Sequence, residues 1–392
     1  MKIAFLVEFP TQFEVPFYKY VAGQIKEQKA KDFDSAQSDE GNFDSAQPDK
    51  EFNFHVIYNN TDQQDYHDFE LGKKVGWGFN LYEGYTYFIA DKNDIVNSVS
   101  AILETENYDY VILNGYKNSY AGLTGLCKRK NIRIALRIDS VLYNLSPLKK
   151  ILKRIYLPFA YRQFDHFFAV GSETKNFLNW LGIKNDRISY FSYSTDEVWF
   201  SGKANDIEKV TALKEQLSIG HQKVLLSVAK FVPRESPWDI LKAFGVLNDP
   251  NLVLVLVGDG EDRKALEARA NTLPQLKIIF TGYIPYQELG YYYGIADVFI
   301  HAAKNEPWGV SVHEALACGC TVITSDKVGS STDLIIEGKN GFTYPLEDAE
   351  KLAQTIKASL QLDCKLKAKT NETILKNWSY SKMLEEIKSV FN

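Results

Sequence analysis

Cysteine is scarce. Cys127, Cys318, Cys320 and Cys364 are the four in 392 residues, too few to staple a disulfide framework. Cys318 and Cys320 stand one residue apart without the second pair that a structural zinc site needs, so they read as small buried side chains. A reducing, cytoplasmic compartment is the expectation that follows. Long hydrophobic runs are missing as well: no stretch reaches the roughly 18 unbroken apolar residues of a membrane span, and the opening "KIAFLV" is too short for a signal peptide. Nor is there an excess of positive charge. The net charge of -5 gives no global reason to expect nucleic acid as a partner. What remains is 45% hydrophobic and 24% charged residues, the composition of a soluble globular chain long enough for two cores.

Short apolar runs alternate with longer amphipathic ones almost throughout, the pattern of parallel strands joined by crossover helices. In the first half the strands read as "KIAFLV", "FNFHVIY", "YDYVIL", "IRIALRI" and "HFFAV"; in the second, as "KVLLSVA", "LVLVLVG", "LKIIFTG", "DVFIHAA" and "TVITSD". Two doubly wound α/β domains fit this better than one. The boundary falls within residues 190–206, which gives domains over 1–195 and 196–375 and an amphipathic tail, 376–392, expected to pack back on the first domain. One segment breaks the rhythm: "FDSAQ" recurs at Phe33 and Phe43 in a polar, acidic stretch. Two copies are too few for a solenoid, so residues 32–50 are expected to form an inserted surface loop without chemistry.

Three strand-to-helix turns carry candidate chemistry. "LVLVLVGDGEDRKALEARA" runs from a buried strand into Gly258, Asp259 and Gly260, where a ligand can approach the backbone. A tight turn explains the glycines equally well, and no third glycine completes a dinucleotide fingerprint. In "SVAKFVPRESPWDILKAF", Lys230 and Arg234 precede a helix expected to start near Pro237. Two cations there suit a diphosphate, or are simply solvated. In "KNEPWGVSVHEALACG", Glu306 falls in a loop and Glu314 about one turn into a helix starting near Val310. The backbone N–H groups of Gly309, Val310 and Ser311 would open that helix and face a phosphate. A carboxylate accepts from both hydroxyls of a vicinal diol, so two such acceptors beside phosphate donors suit a nucleotide-sugar. The macrodipole alone also favours acids near a helix start.

Residues 223–350 resemble the donor-binding domain of the retaining glycosyltransferases of family 4. The resemblance rests on Glu306 and Glu314 with seven residues between them, on "GVSVHEALACGCTVITSDKVGSSTDLIIEGKNGF" after Pro307 and Trp308, on "LVGDG", and on "GYIPYQELGYYYGIADVFI". It implies a GT-B fold, two Rossmann-like domains facing a central cleft. It implies further that Glu306 lies against the donor sugar, that Glu314 binds the ribose and that Lys230 stands where the family has a phosphate-binding arginine. Five positions on, where the family usually has a lysine, this chain has Glu235; Arg234 is the neighbouring cation. The first half resembles the family more weakly, with "EFPTQFEVPF" in place of a glycine-rich loop and "LRIDS" where many members have a histidine. Asp139 there touches the donor sugar or an acceptor hydroxyl, or caps a loop.

Retaining transfer on this fold implies front-face attack by the acceptor hydroxyl while the leaving diphosphate takes its proton, with positioning and charge stabilisation left to the protein. No Asp-x-Asp pair sits at a plausible strand end, so neither metal nor other cofactor is expected. The acceptor would be a glycan or a lipid-linked hydroxyl. "SPLKKILKRIYLPFAYRQ", residues 146–163, joins five cations to helically spaced apolar residues without an acid. That pattern fits peripheral contact with the anionic inner face of a membrane, or a helix with a core-facing apolar side and a solvated basic one. Two further readings stay open: an epimerase using the same donor pocket, and a non-catalytic nucleotide-sugar-binding protein.

Overall fold

The computed structural model describes residues 1–38, 51–60, 66–68, 73–75, 80–117, 120–143 and 145–391. The chain opens with β1 (Lys2–Val7), α1 (Val15–Ser38), β2 (Asn53–Tyr58), a short antiparallel pair β3 (Tyr66–Asp68) and β4 (Lys73–Val75), and β5 (Tyr87–Ile89). It continues through α2 (Ile95–Thr105), β6 (Tyr110–Asn114), α3 (Ala121–Arg129), β7 (Arg133–Ile138), α4 (Pro147–Tyr161), β8 (His166–Ala169), α5 (Ser172–Trp180) and β9 (Ile188–Tyr190). After a crossing segment come α6 (Glu197–Ala204), α7 (Ile207–Gln216), β10 (Lys223–Val228), α8 (Pro237–Leu247), β11 (Leu252–Val257), α9 (Arg263–Ala270) and β12 (Lys277–Gly282). Then follow α10 (Tyr286–Ile295), β13 (Val298–His301), α11 (Val310–Ala317), β14 (Thr321–Ser325), α12 (Ser331–Leu334), β15 (Gly341–Tyr344), α13 (Ala349–Ser359), α14 (Cys364–Trp378) and α15 (Tyr380–Phe391).

Two parallel sheets result, in the orders β5-β2-β1-β6-β7-β8-β9 and β12-β11-β10-β13-β14-β15. Strands covered on both faces read as unbroken apolar runs, and every residue of β11, "LVLVLV", is buried. Each sheet reverses its winding direction once: between β1 and β6 in the first, between β10 and β13 in the second. At such a reversal the flanking loops diverge and leave a crevice beyond the carboxyl ends of the strands. In the second sheet that crevice lies between the loop carrying Lys230, Arg234 and Glu235 and the loop carrying Glu306.

The two domains share a core. One buried cluster joins Ile3 and Phe5 to Trp308, Trp378 and Tyr380, whereas each domain keeps a separate cluster on its other side. The last helix, α15, lies beside β9 and α1 of the first domain; Tyr110 donates from its hydroxyl to the Phe391 carbonyl at 2.9 Å. Across the cleft, Trp308 Nε1 donates to the Tyr193 carbonyl at 2.9 Å, and the Ser172 amide donates to Asp333 Oδ2 at 2.8 Å.

The expected loop over 32–50 needs correction at its start. Residues 32–38 extend α1, because the first "FDSAQ" copy contains no Pro or Gly to stop a helix already propagating at one hydrogen bond per residue. Residues 39–50, with the second copy, lie outside the described residues. The expected burial of the Cys-x-Cys pair holds for Cys320, while Cys318 is half-buried.

Candidate functional site

The second-domain crevice is built by close backbone contact between neighbouring loops. Gly258 has φ +143°, and a Cβ there would lie 1.9 Å from the Ala229 carbonyl oxygen, so only glycine lets the β10 and β11 loops meet. Phe231 N then donates to the Asp259 carbonyl at 2.9 Å, which fixes the loop holding Lys230. Asp259 receives the Gly260 amide on its own side chain at 3.0 Å and lies 3.6 Å from Arg263. Lys230 is half-buried at the start of this loop. Arg234 is exposed on the crevice side of the loop and pairs with Glu235 at 2.6 Å, while Glu235 itself is buried. The cation next to the family's lysine position is thus held by the acid that occupies that position.

Glu306 is pinned by its backbone. Its amide donates to the Lys327 carbonyl at 3.2 Å and its carbonyl accepts from Gly329 N at 2.8 Å. Tyr143, in the loop after β7, donates from its hydroxyl to the same carbonyl at 2.8 Å. The Glu306 side chain accepts from Trp308 N at 3.2 Å. Burial raises its carboxyl above the ordinary range, with the Glu235 charge adding to the rise and His301, Trp308 and Arg234 opposing it. Gly309, at φ +95°, turns the chain into α11. A Cβ there would approach Glu306 Cγ and Val328 at 3.2 Å and His301 Nε2 at 3.4 Å. With Val310 and Ser311 it supplies the opening amides of α11, which have no carbonyl one turn back to reach.

Glu314 stands one turn further along α11, buried, and accepts from the Tyr293 hydroxyl at 2.7 Å. Desolvation pushes its carboxyl up to about 7, against the lowering effect of that hydrogen bond. Tyr293 sits on α10, so the residue that orients Glu314 is 21 positions away. In the first domain, Asp139 lines a cavity of about 300 Å³ with Glu8, Glu14, Lys117, Arg137 and Tyr193. It accepts from the Tyr193 hydroxyl at 3.3 Å. Since the Tyr193 carbonyl receives the Trp308 indole, one residue of the crossing segment touches both Asp139 and the chain two residues after Glu306.

The structure therefore brings Lys230, Arg234, Gly258, Asp259, Glu306, Gly309, Val310 and Ser311 onto the loops at one strand-end crevice, with Glu314 buried one turn along α11 against Tyr293 and Asp139 across the cleft. Sequence reasoning passed over three participants. Arg137 is buried beneath Asp139, pairs with Glu14 and donates to the Phe191 and Ser192 carbonyls at 2.8 and 3.0 Å. Trp308 is buried at the domain interface. His301 ends β13 within the reach of Glu235 and Glu306, and the side-chain ligand atoms of these three lie within 4.8 Å of one another. A polar residue closing the apolar strand "DVFIH" was its visible signal.

Parts of the chain resemble known proteins. Residues 209–376 match the family model of glycosyl transferases group 1. That region holds the whole second-domain crevice. An alpha-monoglucosyldiacylglycerol synthase of Acholeplasma laidlawii is 34% identical over 142 residues, 35% of this chain and 35% of its own length. A GDP-mannose-dependent alpha-(1-6)-phosphatidylinositol monomannoside mannosyltransferase of Mycolicibacterium smegmatis is 25% identical over 163 residues, 39% of this chain and 42% of its own. The chain thus spans well under half the length of these two relatives. Anabaena HepE in complex with UDP superposes with a TM-score of 0.73 at 14% identity, over 99% of both chains. Sucrose-phosphate synthase of Thermosynechococcus elongatus does so at 0.65 and 17%, over 100% and 98%. At these identities the likeness shows the fold, two Rossmann-like domains of the GT-B type around a cleft, and the group 1 match covers the second of them.

Proposed function

We infer that the protein is a glycosyltransferase that moves a sugar from a nucleoside-diphosphate donor to the hydroxyl of a glycan or lipid-linked acceptor, with retention at the anomeric carbon. The observation that carries this is the start of α11 at the winding reversal of the second sheet, flanked by Glu306 and Glu314. Amides without intrahelical partners donate to a phosphate, and in this reading Glu306 accepts from sugar hydroxyls and Glu314 from the ribose diol. Lys230 and the Gly258 turn border the same space. HepE is described with UDP and with UDP-glucose and the mannosyltransferase relatives as GDP-mannose-dependent, which supports a nucleotide-sugar as donor. Asp139, facing the cleft from the first domain, is the group suited to an incoming acceptor or a donor-sugar hydroxyl.

In this reading the acceptor oxygen attacks from the face that the diphosphate leaves, and its proton goes to the departing phosphate oxygen. The protein contributes alignment and a field that stabilises the growing negative charge. Lys230, Arg234 and the α11 start supply that field. Glu235 subtracts from it.

The acceptor side is read from α4. Leu148, Ile151, Leu152, Ile155, Tyr156 and Phe159 are all exposed, although the helix anchors itself inward through Leu157, Ala160 and Tyr161. An exposed apolar stripe bordered by Lys149, Lys150, Lys153 and Arg154, with no acid in the helix, complements an anionic lipid surface. The lipid acceptors named for two relatives fit such a surface.

The test is calorimetric titration with UDP, GDP and their glucose and mannose conjugates, followed by product analysis. Release of free nucleoside diphosphate in step with acceptor glycosylation supports the transferase, whereas an isomerised nucleotide-sugar makes the protein an epimerase. Glu306→Gln is expected to lower turnover by about 10²-fold, the scale of one lost transition-state contact. Glu314→Gln is expected to weaken the nucleotide by roughly tenfold or more, since a charge-assisted hydrogen bond contributes about 1.5–3 kcal/mol. Wild-type behaviour of both variants refutes the assignment.

A further inference from the structure

Two carboxylates and an imidazole meet at the donor crevice. Glu235 and His301 are buried, 7% and 4% exposed, and Glu306 is half-buried. Their ligand atoms lie within 4.8 Å of one another. One oxygen of Glu235 is engaged by Arg234 and one oxygen of Glu306 by the Trp308 amide, which leaves each a second oxygen. His301 is the odd member. Among the described residues neither of its ring nitrogens has a hydrogen-bond partner, although buried polar groups are nearly always paired. An imidazole between two carboxylates with both nitrogens unpaired is a group waiting for a partner.

The charge balance points the same way. A site for a diphosphate should be cationic, yet the position that carries a lysine in the resembling family carries Glu235 here, next to Glu306. A buried and a half-buried acid at that spacing repel one another and any phosphate brought near them. Arg234 pairs with one of them.

We propose that Glu235, His301 and Glu306 form a site for a divalent first-row cation at the mouth of the donor pocket. Two carboxylates and one imidazole suit manganese or zinc, and closing on an ion at about 2.1 Å asks each ligand atom to move by less than about 1 Å. The three ligands come from the loop after β10, the end of β13 and the loop that follows β13, so no sequence motif marks them, and an expectation of metal independence based on a missing Asp-x-Asp pair does not reach them. If the crevice takes a nucleoside diphosphate, as the transferase reading has it, the ion restores the positive charge that Glu235 removed and offers open coordination positions to phosphate oxygens.

The experiment is a titration of the full chain, stripped with EDTA and free of nucleotide, with MnCl₂, following free Mn²⁺ by its EPR signal. Uptake of one equivalent is expected. His301→Leu, which keeps the volume of the strand end, and Glu235→Gln, which keeps its shape, should each weaken uptake at least tenfold while their circular dichroism stays that of the wild type. Glu235→Lys should abolish it. No uptake by the wild type, or uptake unchanged in both of the first two variants, overturns the site. A second arm titrates UDP and GDP in EDTA and in Mn²⁺. Nucleotide binding at least tenfold tighter with Mn²⁺ in the wild type, and equal in both media for Glu235→Lys, supports the bridging role; equal binding in the wild type overturns that role. Failure of every nucleotide to bind in either medium sinks the transferase reading instead, while the EPR titration still decides the ion site.

Discussion

At the scale of single residues, Glu314 ties stability to function. Its carboxyl is raised to about 7 by burial, above the 4.5 of an unperturbed glutamate. Below about pH 4.5 it is protonated both folded and unfolded, and costs nothing. As pH rises from there to about 7, the unfolded chain loses its proton first, and the folded state is progressively penalised, by on the order of 3 kcal/mol above pH 7. Glu314→Gln lacks this penalty. Melting curves between pH 5 and 8 should therefore show the wild type losing stability relative to Glu314→Gln as pH rises. Parallel curves for the two proteins would contradict the buried, elevated carboxyl. The same residue should release a proton when nucleotide binds near pH 6.5, because a ribose diol donating to both carboxyl oxygens favours the ionised form. Calorimetry in buffers of different ionisation enthalpy reads that proton, and its absence in Glu314→Gln assigns it.

At the scale of elements, α4 shows where sequence reading stops. Its apolar residues at 148, 151, 152, 155 and 159 have the spacing of a buried helical face, and the pattern alone fits core and membrane equally. The structure separates the two: Ile155 and Phe159 are each 72% exposed, and the helix is held instead by Leu157, Ala160 and Tyr161 on another side. Flotation with vesicles containing about a third anionic lipid should carry the wild type upward. Ile155→Asp with Phe159→Asp should stay at the bottom with an unchanged melting temperature, because both side chains already face solvent. A drop in stability on that double substitution would mean the stripe is packed in solution, against the lipid reading. The strands were easier. Buried parallel strands such as β11 announce themselves locally, whereas β15 and the seven-residue extension of α1 depend on neighbours or on helix propagation. His301 was missed for a related reason: strand position is local, but nearness to Glu235 is a product of strand order.

At the scale of the whole molecule, the cleft is closed by contacts that no stretch of sequence announces. Trp308 reaches the Tyr193 carbonyl and packs against Trp378 with ring centroids 5.0 Å apart. Asp333 accepts both the amide and the hydroxyl of Ser172. Alternating strands and helices made two facing domains legible, and the spaced glutamates pointed to the second as the proposed donor side. What the sequence did not show is that the loop carrying Glu306 is itself part of the domain interface: Trp308 lies between Glu306 and Gly309. Gly171 makes this testable, since a Cβ there would come within 2.4 Å of the Trp308 ring, and neither backbone nor indole has room to yield. Gly171 lies in extended backbone, so alanine is conformationally acceptable and its one effect is steric, at the interface. Gly171→Ala should hold the domains apart and raise the radius of gyration measured by X-ray scattering. Nucleotide affinity should change little, because the loops proposed to hold the diphosphate all belong to the second domain. Turnover should fall by about a hundredfold, the cost of misplacing an acceptor-side group by roughly an ångström. A variant that scatters like the wild type and turns over normally would show that Asp139 and the first-domain cavity act without the Trp308 contact.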